Sequence, residues 1–213
     1  MKLRKLDPPY LWRYLAQQAF HRAHPEAPLI VANAVILLDS WIRPGDRGLE
    51  WGSGRSTGWL AARLEGLIAV EHDQLWYDRV GEGLRRAGLA TKVDYRLVAA
   101  PAEQMAEPVE HPYAAVADAI ADESLDLVLV DGQMRLRCMQ KAVAKVRPGG
   151  LLVLDGANRY VPNRFDGGFT TVQVRQDAPL SEGWRELLER LRDWRWMNTS
   201  DGLWDTRMWV KPS

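Results

Sequence analysis

The chain has 213 residues, 46% of them hydrophobic and 26% charged, with 28 basic and 28 acidic side chains that cancel at neutral pH. That length buries a full core without a second domain, and the balanced charge gives no global field toward nucleic acid or an anionic bilayer, so a small, roughly neutral partner is expected. Cys138 is the only cysteine, which excludes an intramolecular disulfide and a multi-cysteine zinc site and points to a reducing compartment, the cytoplasm.

Met1 to Lys5 is basic, but Asp7-Pro8-Pro9 stands where an export signal needs its apolar segment, so the chain reads as not exported. Leu11, Tyr14, Leu15 and Ala19 share one helical face and predict a helix from Tyr10 to Arg22. Pro28 then starts a second helix running to Arg43, stopped by Pro44-Gly45. The apolar stretch within it, Leu29 to Ile42, is well short of the roughly 18 residues a bilayer span needs and carries Asn33, Asp39 and Ser40.

From Pro44 onward short Val/Leu/Ile runs alternate with longer segments of helical period, the pattern of parallel strands joined by crossover helices. Strands are predicted near Gly48–Trp51, Leu67–Glu71, Val93–Val98, Leu125–Val130 and Leu151–Leu154. Between them, Asp73 caps a helix with Trp76, Val80, Leu84 and Ala87 on its buried face, and Leu136, Met139, Val143 and Val146 mark another. Gly66, Gly88 and Pro148-Gly149-Gly150 punctuate the returns to strand. Ser181 caps a last helix carrying Trp184, Leu187, Leu188 and Leu191. Trp194–Thr199 and Thr206–Lys211, split by Ser200-Asp201-Gly202, predict an antiparallel hairpin closing the sheet. Asn158 to Gly168 reads as a loop at the carboxyl edge, where open α/β sheets bind ligands.

The stretch Glu50-Trp51-Gly52-Ser53-Gly54-Arg55-Ser56-Thr57 is the most informative in the chain. Two glycines let the backbone turn sharply against a ligand, and the following helix offers unpaired N–H groups to an anion. Glu71, at the tip of the next strand, is placed to grip a ribose diol. Together these describe a nucleoside cofactor site.

With Leu125-Asp126-Leu127-Val128-Leu129-Val130-Asp131 and Arg147-Pro148-Gly149-Gly150 added, the chain resembles a class I S-adenosylmethionine-dependent methyltransferase over Pro44 to Pro212. The Gly-Ser-Gly-Arg-Ser-Thr variant and Val130-Asp131-Gly132 are similar to a small-molecule O-methyltransferase branch. The resemblance implies an α/β, Rossmann-like, doubly wound, mostly parallel seven-stranded sheet closed by an antiparallel C-terminal hairpin. Residues 1–213 form one domain, 1–43 a helical extension or lid and 44–213 the core. It implies S-adenosylmethionine as cofactor: Gly52, Ser53 and Gly54 under its methionine part, Glu50 on its ammonium, Ser56 and Thr57 on its carboxylate, Glu71 on the ribose and His72 beside the adenine. Ser56 and Thr57 read equally as helix caps.

Asp131, delivered by an apolar strand opposite the glycine turn, is a candidate for the cofactor ammonium, for proton removal or for a metal, and is taken with Arg135 as catalytic. Asp155 ends the next strand. Metal-dependent relatives place asparagine after the second aspartate, where Gly156 stands here with Asn158 further on, so no metal is assigned. His72 and His111 are other possible bases. Arg135, Arg137, Arg159 and Arg164 crowd the ligand edge, so an anionic acceptor is conceivable. Trp184 reads as core, Trp204 stays open, and Cys138 is a buried structural thiol. The expected activity is methyl transfer to a small-molecule hydroxyl, with no nucleic-acid or membrane partner. A nicotinamide-dependent oxidoreductase, through Gly52-x-Gly54 with Gly58, and a catalytically silent nucleoside-binding module are the alternatives.

Overall fold

The computed structural model describes residues 8–100, 110–163 and 181–213. Five parallel strands come first: β1 (Arg47–Trp51), β2 (Gly66–Glu71), β3 (Val93–Leu97), β4 (Leu125–Val130) and β5 (Val146–Asp155). The hairpin of β6 (Arg195–Ser200) and β7 (Asp205–Val210) completes one sheet in the order β3-β2-β1-β4-β5-β7-β6, with β7 antiparallel to both neighbours. The doubly wound expectation and the closing hairpin are both met.

The alternation of side chains along the strands builds the two faces. Leu127 and Leu129 point into a core with α2 (Ala32–Trp41), α3 (Arg55–Arg63) and α4 (Gln74–Arg86), whereas Val128 and Val130 point into the opposite core with α6 (Arg135–Lys145) and α7 (Glu182–Arg190). Strand order reverses at β1 and β4, so the carboxyl ends of these two neighbours open a crevice on the sheet edge. Asp201 turns the hairpin by accepting from the N–H groups of Leu203 and Trp204, each at 2.8 Å.

Several boundaries differ from expectation. α1 spans Pro8–Ala23, but the second helix begins at Ala32, not Pro28. The Gln17 side chain donates to the Ile30 carbonyl at 3.0 Å, and Ile30 and Val31 are buried in a non-helical segment, so tertiary contacts override the proline start. Val146 opens β5 rather than closing a helix, and Arg147 to Gly150 lie inside that strand as a bulge, with Gly149 at φ 74°. Asp73 caps α4 through a 2.7 Å bond from Trp76 N, but Ser181 at the start of α7 makes no side-chain cap bond. On α4 only Leu84 is buried; Trp76 and Ala87 are exposed and Val80 half-buried, because the apolar stripe faces a groove instead of the core. Trp184 is buried as expected and stacks on Tyr160. The loop expected from Asn158 to Gly168 opens inside a short 3₁₀ turn, Ala157–Arg159; Arg164 to Gly168 lie outside the described residues.

Candidate active site

The crevice is built on two facing glycines. A Cβ on Gly52, at φ +90°, would stand 2.6 Å from Gly132 N, and one on Gly132 would stand 2.8 Å from Gly52 N and collide with the Tyr113 hydroxyl. Gly52 is therefore required by the packing of one strand end on another. Gly54 is different: its φ of 166° is extended backbone, and a Cβ there would meet only the Trp76 ring at 3.8 Å.

Around this junction lies a cleft of about 440 Å³, lined by Gly52, Ser53, Glu71, His72, Trp76 and Asp131 among others. Glu71 is buried and anchors it. One carboxylate oxygen accepts from Ser53 N at 3.0 Å and Ser53 Oγ at 2.5 Å, the other from His72 N at 2.7 Å and Asp73 N at 2.9 Å. Ser53 also meets Tyr95 Oη at 2.7 Å, so the glycine turn is tied to two strands. Trp76 Nε1 donates to Ser53 O at 2.7 Å, which sets its ring on the cleft rim. Gln133 Nε2 lies 3.3 Å from His72 Nε2, and the His72 Nδ1 lies 2.9 Å from Glu71.

Glu50 sits beneath the turn, fully buried, and neither carboxylate oxygen accepts a hydrogen bond of ordinary geometry. Burial pushes its pKa up to about 8, with the hydroxyls of Thr57 and Ser56 nearby pulling it down and Glu71 pushing it further up. An uncompensated buried carboxylate is costly, and its natural complement is a cation. Thr57 is buried in the first turn of α3, and its Oγ1 accepts from Gly54 N at 2.9 Å, which is the capping role; Ser56 is buried beside it.

Arg135 is buried at the start of α6 and works as a clamp. Its guanidinium donates to Gly132 O at 3.0 Å, Asp131 O at 2.9 Å, Asp131 Oδ1 at 3.0 Å and, through Nη1, to the Asp155 carbonyl. The Asp131 side chain keeps 32% of its surface open to the cleft, yet protein packs around the rest of it. Burial, then the neighbouring Asp155 carboxyl, raises its pKa well above the carboxylate range, against the pull of Arg135. Asp155 is raised by burial as well, opposed by a 2.6 Å hydrogen bond from Thr206 Oγ1. The two acids therefore titrate as a pair that holds a proton to higher pH than free carboxyls do.

A second cavity of about 230 Å³ opens on the other side of Arg135, lined by Gln17, Ile30, Asp155, Arg159 and Trp204 among others. Arg135 borders both cavities, with Asp131 on the first and Asp155 on the second. Of the other residues singled out in sequence, His111 caps α5 (Pro112–Ala115) by accepting from Tyr113 N, and Arg137 bonds Gln140 along α6. Asn158 accepts from Asp205 N at 3.1 Å and so serves the hairpin. Cys138 is buried, with its thiol toward Gln133 O. Among the described residues no three His, Cys, Asp or Glu side chains are grouped to hold a metal, and no helix is long and apolar enough to cross a membrane.

Sequence reasoning noted Gly132 only within Val130-Asp131-Gly132 and gave it no role, and it missed Tyr113, Gln133 and the position of Trp76. Gly132 had a signal in its place directly after a strand-end aspartate. Trp76 had the opposite one, since apolar spacing reads the same for a core wall and a ligand wall.

Known proteins point the same way. No family model and no curated protein matches the chain. Among solved structures, it is similar to an O-methyltransferase described as putative from Klebsiella pneumoniae, at 22% identity and TM-score 0.57 over 96% of this chain and 90% of that one. It is also similar to a methyltransferase from Geobacter sulfurreducens, at 14% identity and TM-score 0.56 over 99% and 94%. A third, described as a putative rRNA-methylase from Clostridium thermocellum, matches at 12% identity and TM-score 0.58 over 85% and 94%. These likenesses extend over most of each chain and are likenesses of fold: the chain has the fold of the class I S-adenosylmethionine-dependent methyltransferases.

Proposed function

We propose that the protein is an S-adenosylmethionine-dependent methyltransferase that acts on the hydroxyl of a small acceptor. The observation that carries the reading is Glu50, a fully buried carboxyl beneath the glycine turn that accepts no hydrogen bond of ordinary geometry and has only the Thr57 and Ser56 hydroxyls nearby, which suits the ammonium of the cofactor's methionine part. Glu71 would hold the ribose hydroxyls, in competition with Ser53 Oγ, and the first turn of α3 at Ser56 and Thr57 would face the carboxylate. His72 and Trp76 wall the cleft where the base would lie. Bound there, S-adenosylmethionine supplies an electrophilic methyl group whose sulfur leaves as a neutral thioether.

The chain's own work is alignment and proton removal. The Asp131–Asp155 pair takes the acceptor's hydroxyl proton, and Arg135, bonded to the Asp131 carboxyl and the Asp155 backbone carbonyl, holds this corner at the boundary of the two cavities. Their raised proton affinity brings a carboxyl base closer to neutral pH. The smaller cavity takes the acceptor. Its volume lies below the roughly 300–1,000 Å³ of drug-sized sites, and Arg159 beside Arg135 favours an acceptor with an anionic group. Gln17 and residues 29–31 wall it, so the first 43 residues act as the selecting extension of a single domain. Asn158 is committed to the hairpin and Gly156 follows Asp155, which supports a reaction without a bound metal. A cytoplasmic enzyme without a nucleic-acid or membrane partner completes the reading, in keeping with balanced charge and one cysteine.

The nicotinamide alternative loses support at Gly58. The third glycine of a dinucleotide fingerprint serves close helix–strand packing, but a Cβ on Gly58 would touch nothing within 4 Å. A thermal-shift comparison of S-adenosylmethionine, S-adenosylhomocysteine, NAD and NADP tests the choice, because a ligand that binds only the native state raises its melting temperature. Stabilisation by the first two alone supports the reading; stabilisation by NAD or NADP alone would reverse it.

A further inference from the structure

The apolar stripe of α4 has little covering it. Trp76, Val80, Leu84 and Ala87 recur on one face, yet Leu84 alone is buried and Trp76 stays 39% exposed. α3 faces this stripe with Trp59 and Ala62, and between the helices runs a groove of about 630 Å³. Gly58 on α3 and Gly83 on α4 line it, and a Cβ on either would touch nothing within 4 Å. Neither has a left-handed φ, so neither a turn nor a close approach requires glycine there. Glycine inside a helix costs about 1 kcal/mol relative to alanine, and at these positions the missing side chains keep the groove open.

The rim has a definite sign. Arg55, Arg63 and Arg79 line the groove with a single carboxylate, Glu26. Arg63 is engaged by Asp39 at 2.8 Å and lies over the Trp59 ring. Arg55 donates through Nη2 to the His24 carbonyl at 2.5 Å and more loosely to that of His21 at 3.4 Å, with its Nε buried and lacking an acceptor, and Arg79 lies over the Trp76 ring at 5.6 Å. A cavity of this size, apolar in lining with a few charged groups, three of the four cationic, has the make-up of a small-molecule site.

We propose that the groove between α3 and α4 is a second ligand site, for an amphipathic anion whose apolar tail lies between Trp59 and Val80 and whose carboxylate meets Arg55 and Arg79. The site is separate from the acceptor cavity, sharing no lining residue with it, and is independent of the methyl-transfer reading. It borders the cofactor cleft at Trp76 and at Gly54–Arg55, where the glycine turn enters α3.

Isothermal titration of the full chain with sodium decanoate below its micellar concentration tests this, with decyltrimethylammonium and 1-decanol as headgroup controls. Decanoate is expected to bind saturably, one per chain, at least tenfold tighter than either control. Gly83→Leu fills the groove at a position with room for a side chain, and should weaken decanoate at least tenfold while circular dichroism and melting temperature match or exceed wild type. Gly58→Leu repeats the test from α3 should the first variant fold poorly, and Arg79→Glu should cut affinity severalfold. No saturable binding, equal affinity for the three headgroups, or wild-type affinity in a folded groove-filling variant overturns the proposal. A shift from dimer to monomer on Gly83→Leu without decanoate binding replaces the small ligand with a second copy of the chain, and so overturns it too.

Discussion

Glu50→Gln is the most telling single change in this chain, because it separates a group kept for stability from one kept for a ligand. With its pKa raised from 4.5 to about 8, the folded protein binds a proton at this site that the unfolded chain has already released across that window. The folded state therefore loses stability as pH rises from 4.5 to about 8, by up to about 1.4 kcal/mol per pH unit, and holds the full penalty above it. The whole rise corresponds to several kcal/mol at pH 9. Glutamine keeps the shape and removes the charge. Urea denaturation of wild type and Glu50→Gln from pH 5 to 9 should give curves that meet near pH 5 and diverge upward, the variant being more stable by a few kcal/mol at pH 9. His21 titrates alike in both proteins, whereas Asp131, whose proton affinity the Glu50 charge raises, moves with the substitution, so the difference reads Glu50 together with its effect on Asp131. At the same time the variant should lose S-adenosylhomocysteine affinity at least tenfold, since a charge-assisted contact to the ammonium is gone. Parallel stability curves, or a variant that binds the nucleoside as wild type does, would refute the reasoning.

Glu71→Gln should weaken S-adenosylhomocysteine by ten- to a hundredfold in calorimetry, since hydrogen bonds to a charged group are worth about 1.5–3 kcal/mol each; unchanged affinity removes Glu71 from the ribose. The two glycines of the turn should part company in thermal melts. Gly52→Ala, whose Cβ would strike the Gly132 backbone at 2.6 Å, should destabilise the fold, whereas Gly54→Ala should melt as wild type does. Arg135→Ala strips a buried cation from Asp131 and two neighbouring carbonyls, and should cost about 3–5 kcal/mol in urea denaturation. A loss below about 1 kcal/mol would mean that the clamp is solvated and replaceable.

The sheet was legible because its signals are local and repeated: strand-length apolar runs, glycine returns, and a hairpin marked by Ser200-Asp201-Gly202. Glu50, Gly52 and Glu71 were legible for a related reason, since a turn between parallel strands must carry its ligand residues at fixed spacing. What was hidden depends on contacts across the chain. Ile30 surrenders its carbonyl to Gln17, so the helix expected from Pro28 starts late, and no neighbour of Pro28 announces it. Trp76 looks like core by period alone, and only the opposing glycines show that its face is open. The pairing of Gly52 with Gly132 joins residues from different strands, which sequence spacing cannot register.

A crystal structure of the protein with S-adenosylhomocysteine tests the central claim most directly. The ribose hydroxyls should lie within hydrogen-bond distance of the Glu71 carboxylate, with the ammonium directed to Glu50 beneath the Gly52 turn. The homocysteine sulfur should face the cavity bordered by Arg135, Asp155 and Arg159. A nucleoside bound elsewhere, or one in the crevice that leaves Glu50 and Glu71 without contact, would contradict the assignment of the cleft.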